Sequence, residues 1–101
     1  MEPDEERSQV SRDTAEMLAI QALAFMAEEP ERLNRFLGMS GIDANDIRAA
    51  AREPAFLAGV LEHMLADESL LIAFAESAGI EPGEVARARS ALGGAGGRNL
   101  P

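Results

Sequence analysis

The chain has 101 residues, no cysteine and a formal net charge of −9, and every basic residue is arginine. That length holds one domain. Without thiols there are no disulfides or thiolate metal sites, and without lysine there is no Schiff-base, pyridoxal phosphate or phosphate-loop lysine chemistry. The charge opposes phosphate backbones and anionic lipid headgroups and favours basic partners or simple solubility.

Three parts follow from the pattern. Residues 1–12 are polar and of mixed charge, and read as a disordered acidic tail. Residues 13–92 carry helical periodicity, and residues 93–101 read as a flexible Gly-rich end. The opening Met1-Glu2-Pro3-Asp4-Glu5-Glu6 is acidic, unlike a secretory leader, and no apolar run approaches membrane-spanning length. A cytoplasmic protein without a membrane role is expected.

The first helix is expected over about 14–27, with Asp13 as N-cap and Glu16 completing a capping box. Met17, Leu18, Ile20, Leu23, Phe25 and Met26 point nearly all round, which puts this helix in the middle of the fold. A second helix opens on Pro30 and ends near Gly38–Gly41. A third runs from after Asp43 to about Arg52, where Glu53-Pro54 forces a break. The fourth, about 54–66, has the cleanest stripe, in Phe56, Leu57, Val60, Leu61, Met64 and Leu65. Gly59 inside it costs helix stability, which a close helix–helix approach would justify. A fifth helix over about 68–78 follows the cap Asp67, and a sixth over about 82–92 opens on Pro82 and stops at Gly93. The expected fold is all-α, a single compact bundle of about six short helices.

The sequence matches itself at an offset of 38 residues. Leu23 pairs with Leu61, Met26 with Met64, Phe36 with Phe74, and Gly41-Ile42 with Gly79-Ile80. The helices can thus be grouped as two pseudo-repeated three-helix units packed as one core. Each Gly fits the left-handed residue that closes a helix. Each Ile can pack back on that helix and forward on the next, through Ile47 or Val85. Ile42 and Ile80 are therefore expected in the core.

Chemistry is sparse. His63, the only histidine, lies off the apolar stripe of its helix, four residues before Asp67 and with no nucleophile to serve. Solvent exposure is expected, and no catalytic residue is assigned. Asp43-x-Asn45-Asp46 fails as a calcium loop, because Ile47 and Arg48 stand where an oxygen ligand and a glycine are needed. No metal or cofactor is assigned. The acidic residues read as first-turn charges, with Glu28–Arg32 and Glu31–Arg35 as i,i+4 pairs. Phe36–Ala51 imitates a helix-turn-helix whose recognition helix, the one after Asp43, would offer Asn45, Arg48 and Arg52; Asp43 and Asp46 would then face phosphates.

The run Thr14-Ala15-Glu16-Met17-Leu18-Ala19-Ile20-Gln21-Ala22-Leu23-Ala24-Phe25 resembles a small alphaproteobacterial family known only as a domain of unknown function. So do Glu29-Pro30-Glu31-Arg32-Leu33, Arg35-Phe36-Leu37, Gly41-Ile42 and Glu53-Pro54-Ala55-Phe56-Leu57. The resemblance covers about 13–92 and implies a bacterial, cytoplasmic, all-helical protein with no transferable activity. The expected function is a non-enzymatic protein-binding or adaptor module, presenting an acidic face or an apolar groove between the two halves. A nucleic-acid-associated regulator is the alternative. Phe25, Met26 and Met39 are the candidate partner-binding residues, from a surplus of apolar side chains for so small a core.

Overall fold

The computed structural model describes residues 10–96, with side chains described as far as Leu92. The chain forms α1 (Arg12–Ala27), α2 (Pro30–Ser40), a 3-10 turn (Ala44–Asp46), α3 (Ile47–Ala50), α4 (Pro54–Ala66), α5 (Glu68–Ala78) and α6 (Pro82–Gly96). There is no strand among the described residues, so the fold is an all-α bundle. Of the two expected tails, residues 1–9 and 97–101 lie outside the described residues.

Local chemistry sets the helix ends. Proline opens α2 and α4, where its missing N–H has no intrahelical partner to lose. The Asp67 carboxylate accepts from the Leu70 N–H at 3.2 Å and caps α5. Helix α1 starts earlier than expected. Its cap is Ser11, not Asp13: the Ser11 hydroxyl oxygen accepts from the Thr14 N–H at 3.1 Å and donates to Thr14 Oγ1 at 2.9 Å. Asp13 then falls in the first turn, where its charge suits the helix dipole. Val10, just before the cap, is half-buried against the core and fixes the entry of the chain.

Two other ends differ. The third helix is only a 3-10 turn and one α-turn, and the chain breaks again before Pro54. Helix α6 runs past the expected stop at Gly93 to Gly96; glycine weakens a helix without forbidding it. Ion pairing differs too. Arg32 pairs with Glu29 at 3.6 Å, and neither Glu28–Arg32 nor Glu31–Arg35 forms a salt bridge.

Helix α1 packs against α2, α4, α5 and α6, as a central helix should. Its buried face is built on Ala15, Ala19 and Ala22, small enough for α4 and α6 to come close. Helix α6 lies across α4 and α1 and buries Val85, Ala88 and Leu92. Met26, Leu61, Met64 and Phe74 fill the centre.

The 38-residue offset reappears in the elements. Pro30–Ser40 maps onto Glu68–Ala78, and the 3-10 turn at Ala44 maps onto the start of α6 at Pro82. Buried residues map onto buried residues: Leu23 on Leu61, Met26 on Met64, Phe36 on Phe74 and Leu37 on Ala75. Gly41 and Gly79 share the left-handed conformation, with φ of 74° and 71°. The closing bonds differ: the Gly41 N–H donates to the Leu37 carbonyl at 2.9 Å, whereas the second turn adds an Ile80 N–H bond to the Ala75 carbonyl at 3.0 Å. Ile42 and Ile80 pack against the core but are half-buried, because each sits at a surface turn and covers the core from outside.

Candidate functional site

An open groove of about 570 Å³ runs between α2 and α4. Helix α2 and its following turn supply Phe36, Met39, Ser40 and Ile42; α4 supplies Ala55, Phe56, Gly59, Glu62, His63 and Ala66. One wall thus comes from each half of the chain. Phe36 anchors it, meeting Phe56 at 5.7 Å and His63 at 5.1 Å between ring centroids, both edge-on. Met39 stands on the rim with 73% of its surface exposed.

Gly59 has a different role from the expected one. A Cβ built on it meets nothing within 4 Å, so no neighbouring helix approaches there. Gly59 instead lies on the α4 stripe with Ala55, Glu62 and Ala66, and keeps the groove open. The repeat explains the contrast with the other half. A smaller hollow of about 260 Å³ is lined by Met17, Leu18, Gln21 and Ile80, the residues 38 positions away from Ala55, Phe56, Gly59 and Ile42. There the longer side chains of Met17 and Gln21 occupy space that alanine and glycine leave free, and Val10 also reaches the hollow.

His63 is half-buried, not solvent-exposed, because α2 crosses α4 where its imidazole meets Phe36. Desolvation lowers its pKa below 6.5, with Asp67 raising it in opposition and Arg35 adding to the depression. The ring is also a wall of a neighbouring polar cleft of about 200 Å³ with Arg32, Arg35, Asp67, Ser69 and Leu70. Ser40 shares the groove with His63, but its hydroxyl donates to the Leu37 carbonyl at 3.3 Å. Among the described residues no charged or polar side chain is fully buried, and no three His, Asp or Glu side chains converge as a metal site would need.

The three sequence candidates separate. Met39 is in the groove. Met26 is in the core with 0% exposure and offers no surface to a partner. Phe25 is half-buried, packed on Phe74 at 5.6 Å with the Arg32 guanidinium 5.1 Å above its ring. Sequence reasoning missed Phe56 and Gly59 as a surface laid over the buried Phe36. The signal available was Gly59 in mid-helix, one turn from Ala55, where the first half carries Gln21 and Met17.

Among the described residues no helix is long and apolar enough to cross a membrane. No curated protein and no solved structure matches the chain. A family profile described as "Protein of unknown function (DUF3572)" matches residues 12–95, which take in all six helices but the last residue of α6. The chain belongs to the DUF3572 family.

Proposed function

We propose that this chain is a non-enzymatic protein-binding module that receives an apolar helical segment of another protein in the α2–α4 groove. The observation that carries the reading is the open apolar groove itself, with half-buried Phe56 and exposed Met39 presented over the buried ring of Phe36 and around a glycine that no internal contact requires. Grooves of this kind seat the apolar face of an amphipathic helix. Aromatic anchors give such contacts most of their energy. The bacterial, cytoplasmic setting implied by the alphaproteobacterial resemblance belongs to the same reading.

The alternative is a nucleic-acid-associated regulator reading bases with the helix after Asp43. It has less behind it. Asn45 lies in the 3-10 turn, Arg48 in a four-residue helix and Arg52 beyond that helix, and the net charge of −9 opposes phosphate.

The test is a photo-crosslinking amino acid at Met39 in the intact protein, irradiated in its native cells, with exposed Ile72 on α5 as the control position. Crosslinking to protein from position 39 and not from 72, lost on Gly59→Gln, is the expected result. Crosslinking to nucleic acid, or equal yields at both positions, would overturn the reading.

A further inference from the structure

We infer that occupancy of the α2–α4 groove is governed by pH through His63: an apolar segment seated there excludes the proton from the imidazole, so proton and segment compete. The inference rests on the protein-binding reading above and adds its regulation. It stands first on position. His63 follows Gly59 by one turn on α4, both line the groove, and Phe36 meets the imidazole at 5.1 Å. The ring is half-buried before anything binds. A segment laid over Gly59 and Phe36 covers what is left of its exposure. His63 is also the chain's one histidine, and so its one side chain whose ordinary titration falls between about pH 5 and about pH 8.

The charged groups around the ring fix the direction. Helix α2 brings Arg32 and Arg35 to the polar cleft that the ring also lines. Asp67, between α4 and α5, lies in that cleft too, with its carboxylate already accepting from the Leu70 N–H; α5 adds Ser69. On α4, Glu62 stands beside His63 in the groove wall and accepts a hydrogen bond from Arg89 of α6. Burial outweighs the rest and holds the ring's pKa below 6.5, with Asp67 opposing and Arg35 adding to the depression. An apolar occupant deepens that burial and brings no hydrogen-bond acceptor, so it lowers the pKa further. By linkage the protonated protein then binds the segment more weakly, by the same factor. Well above pH 6.5 the ring is neutral in the free and the occupied protein, and affinity is level. Below the free-state value the segment must displace a proton, and affinity falls by at most about tenfold per pH unit, because one proton is exchanged.

The experiment uses the intact protein and a displayed library of helical peptides built from Ala, Leu, Met, Phe, Gln and Lys, none of which titrates between about pH 5 and about pH 8. The probes are peptides selected at about pH 8 whose binding is lost on Gly59→Gln, glutamine being the residue at the equivalent place on α1. Affinities are compared at pH values where circular dichroism shows the fold intact. They are expected to be level down to near pH 6.5 and to fall below it. The NMR titration of the His63 ring, unambiguous for a single histidine, is expected to move to lower pH when peptide saturates the protein. In His63→Phe the affinity, whatever its level, is expected to be flat over the same range. Phe25 stands at the equivalent place on α1 and packs on Phe74, so the architecture takes a phenyl ring there. A ring titration that peptide leaves in place or raises, or an affinity equally pH-dependent in His63→Phe, overturns the competition and leaves the groove reading standing. Failure to select any peptide, or selected peptides indifferent to Gly59→Gln, overturns both.

Discussion

The imidazole of His63 meets the ring of Phe36 with centroids 5.1 Å apart, and this contact has a counterpart elsewhere in the molecule. Phe25 meets Phe74 at 5.6 Å, and both pairs are edge-on or tilted, at 63° and 58°. Under the 38-residue offset His63 corresponds to Phe25 and Phe36 to Phe74. In each pair a ring from the first helix of one half packs on the second helix of the other half. The halves are thus interlocked across the centre, and neither completes its aromatic contacts alone. The difference between the pairs is chemical: where one half has a phenyl ring, the other has a titratable imidazole at the groove wall.

That imidazole makes the fold sensitive to pH in a direction that can be fixed. Burial lowers the folded-state pKa of His63 below 6.5, while the unfolded chain titrates near 6.5. Above 6.5 both states hold the neutral ring. As pH falls, the unfolded state takes up its proton first, so stability is lost from about 6.5 downward through the folded-state value. The carboxylates are the same in the wild type and a His63 variant, so they cancel in a comparison of the two. Urea unfolding of wild type and His63→Gln should therefore give stability curves that diverge as pH falls below 6.5, with the wild type falling faster. Parallel curves would mean that the ring is solvated.

Ser11 and Asp13 offer a direct test of where α1 begins. Ser11→Ala removes the bond to the Thr14 N–H and should cost about 1 kcal/mol. Asp13→Ala removes only a first-turn charge and should cost about 0.3–0.5 kcal/mol, less at high salt. Denaturant midpoints of the two variants decide between the caps, and the opposite ranking would return the cap to Asp13.

Much of the fold was legible in the sequence. Pro30, Pro54 and Pro82 open helices, Gly41 and Gly79 close them, and Leu57, Val60, Leu61 and Met64 of the α4 stripe are buried. These are local effects, decided within one or two turns. The errors came where two local signals competed or where tertiary contact decided. Ser11 and Asp13 are comparable caps, and what distinguishes them is the packing of Val10, which the polarity of residues 1–12 obscured. His63 looked exposed because its own helix places it off the stripe; only the crossing of α2 brings Phe36 against it. The groove was legible only in Met39 and in an unexplained glycine, because its walls come from helices distant in sequence.

Gly59 gives a prediction with an unusual sign. Its φ is negative, it lies within α4, and an added methyl meets nothing within 4 Å. Gly59→Ala should therefore stabilise the protein by about 0.5–1 kcal/mol, read as a raised urea midpoint at unchanged m-value. A destabilised variant would show that some neighbour closes on this position in solution.

Met26 and Met39 separate stability from surface. Both are methionines of the first half, and sequence alone offered both as partner contacts. Met26 is wholly buried, between the two halves' equivalent cores, and its repeat partner Met64 is wholly buried too. Truncation there removes a flexible side chain from a packed centre and leaves a cavity, so Met26→Ala should cost about 2–4 kcal/mol. Met39 is 73% exposed, and Met39→Ala should change stability by less than about 0.5 kcal/mol. If the groove is a docking surface, the ranking inverts for binding. Met39→Glu should leave the urea transition unchanged and weaken binding of a helical segment in the groove by about tenfold or more, through lost apolar contact and a desolvated carboxylate. Met26→Leu, which conserves volume, should leave both measurements near wild type. A Met39→Glu protein that unfolds early would place that side chain in the core. One that is stable and binds normally would remove Met39 from the surface the partner uses.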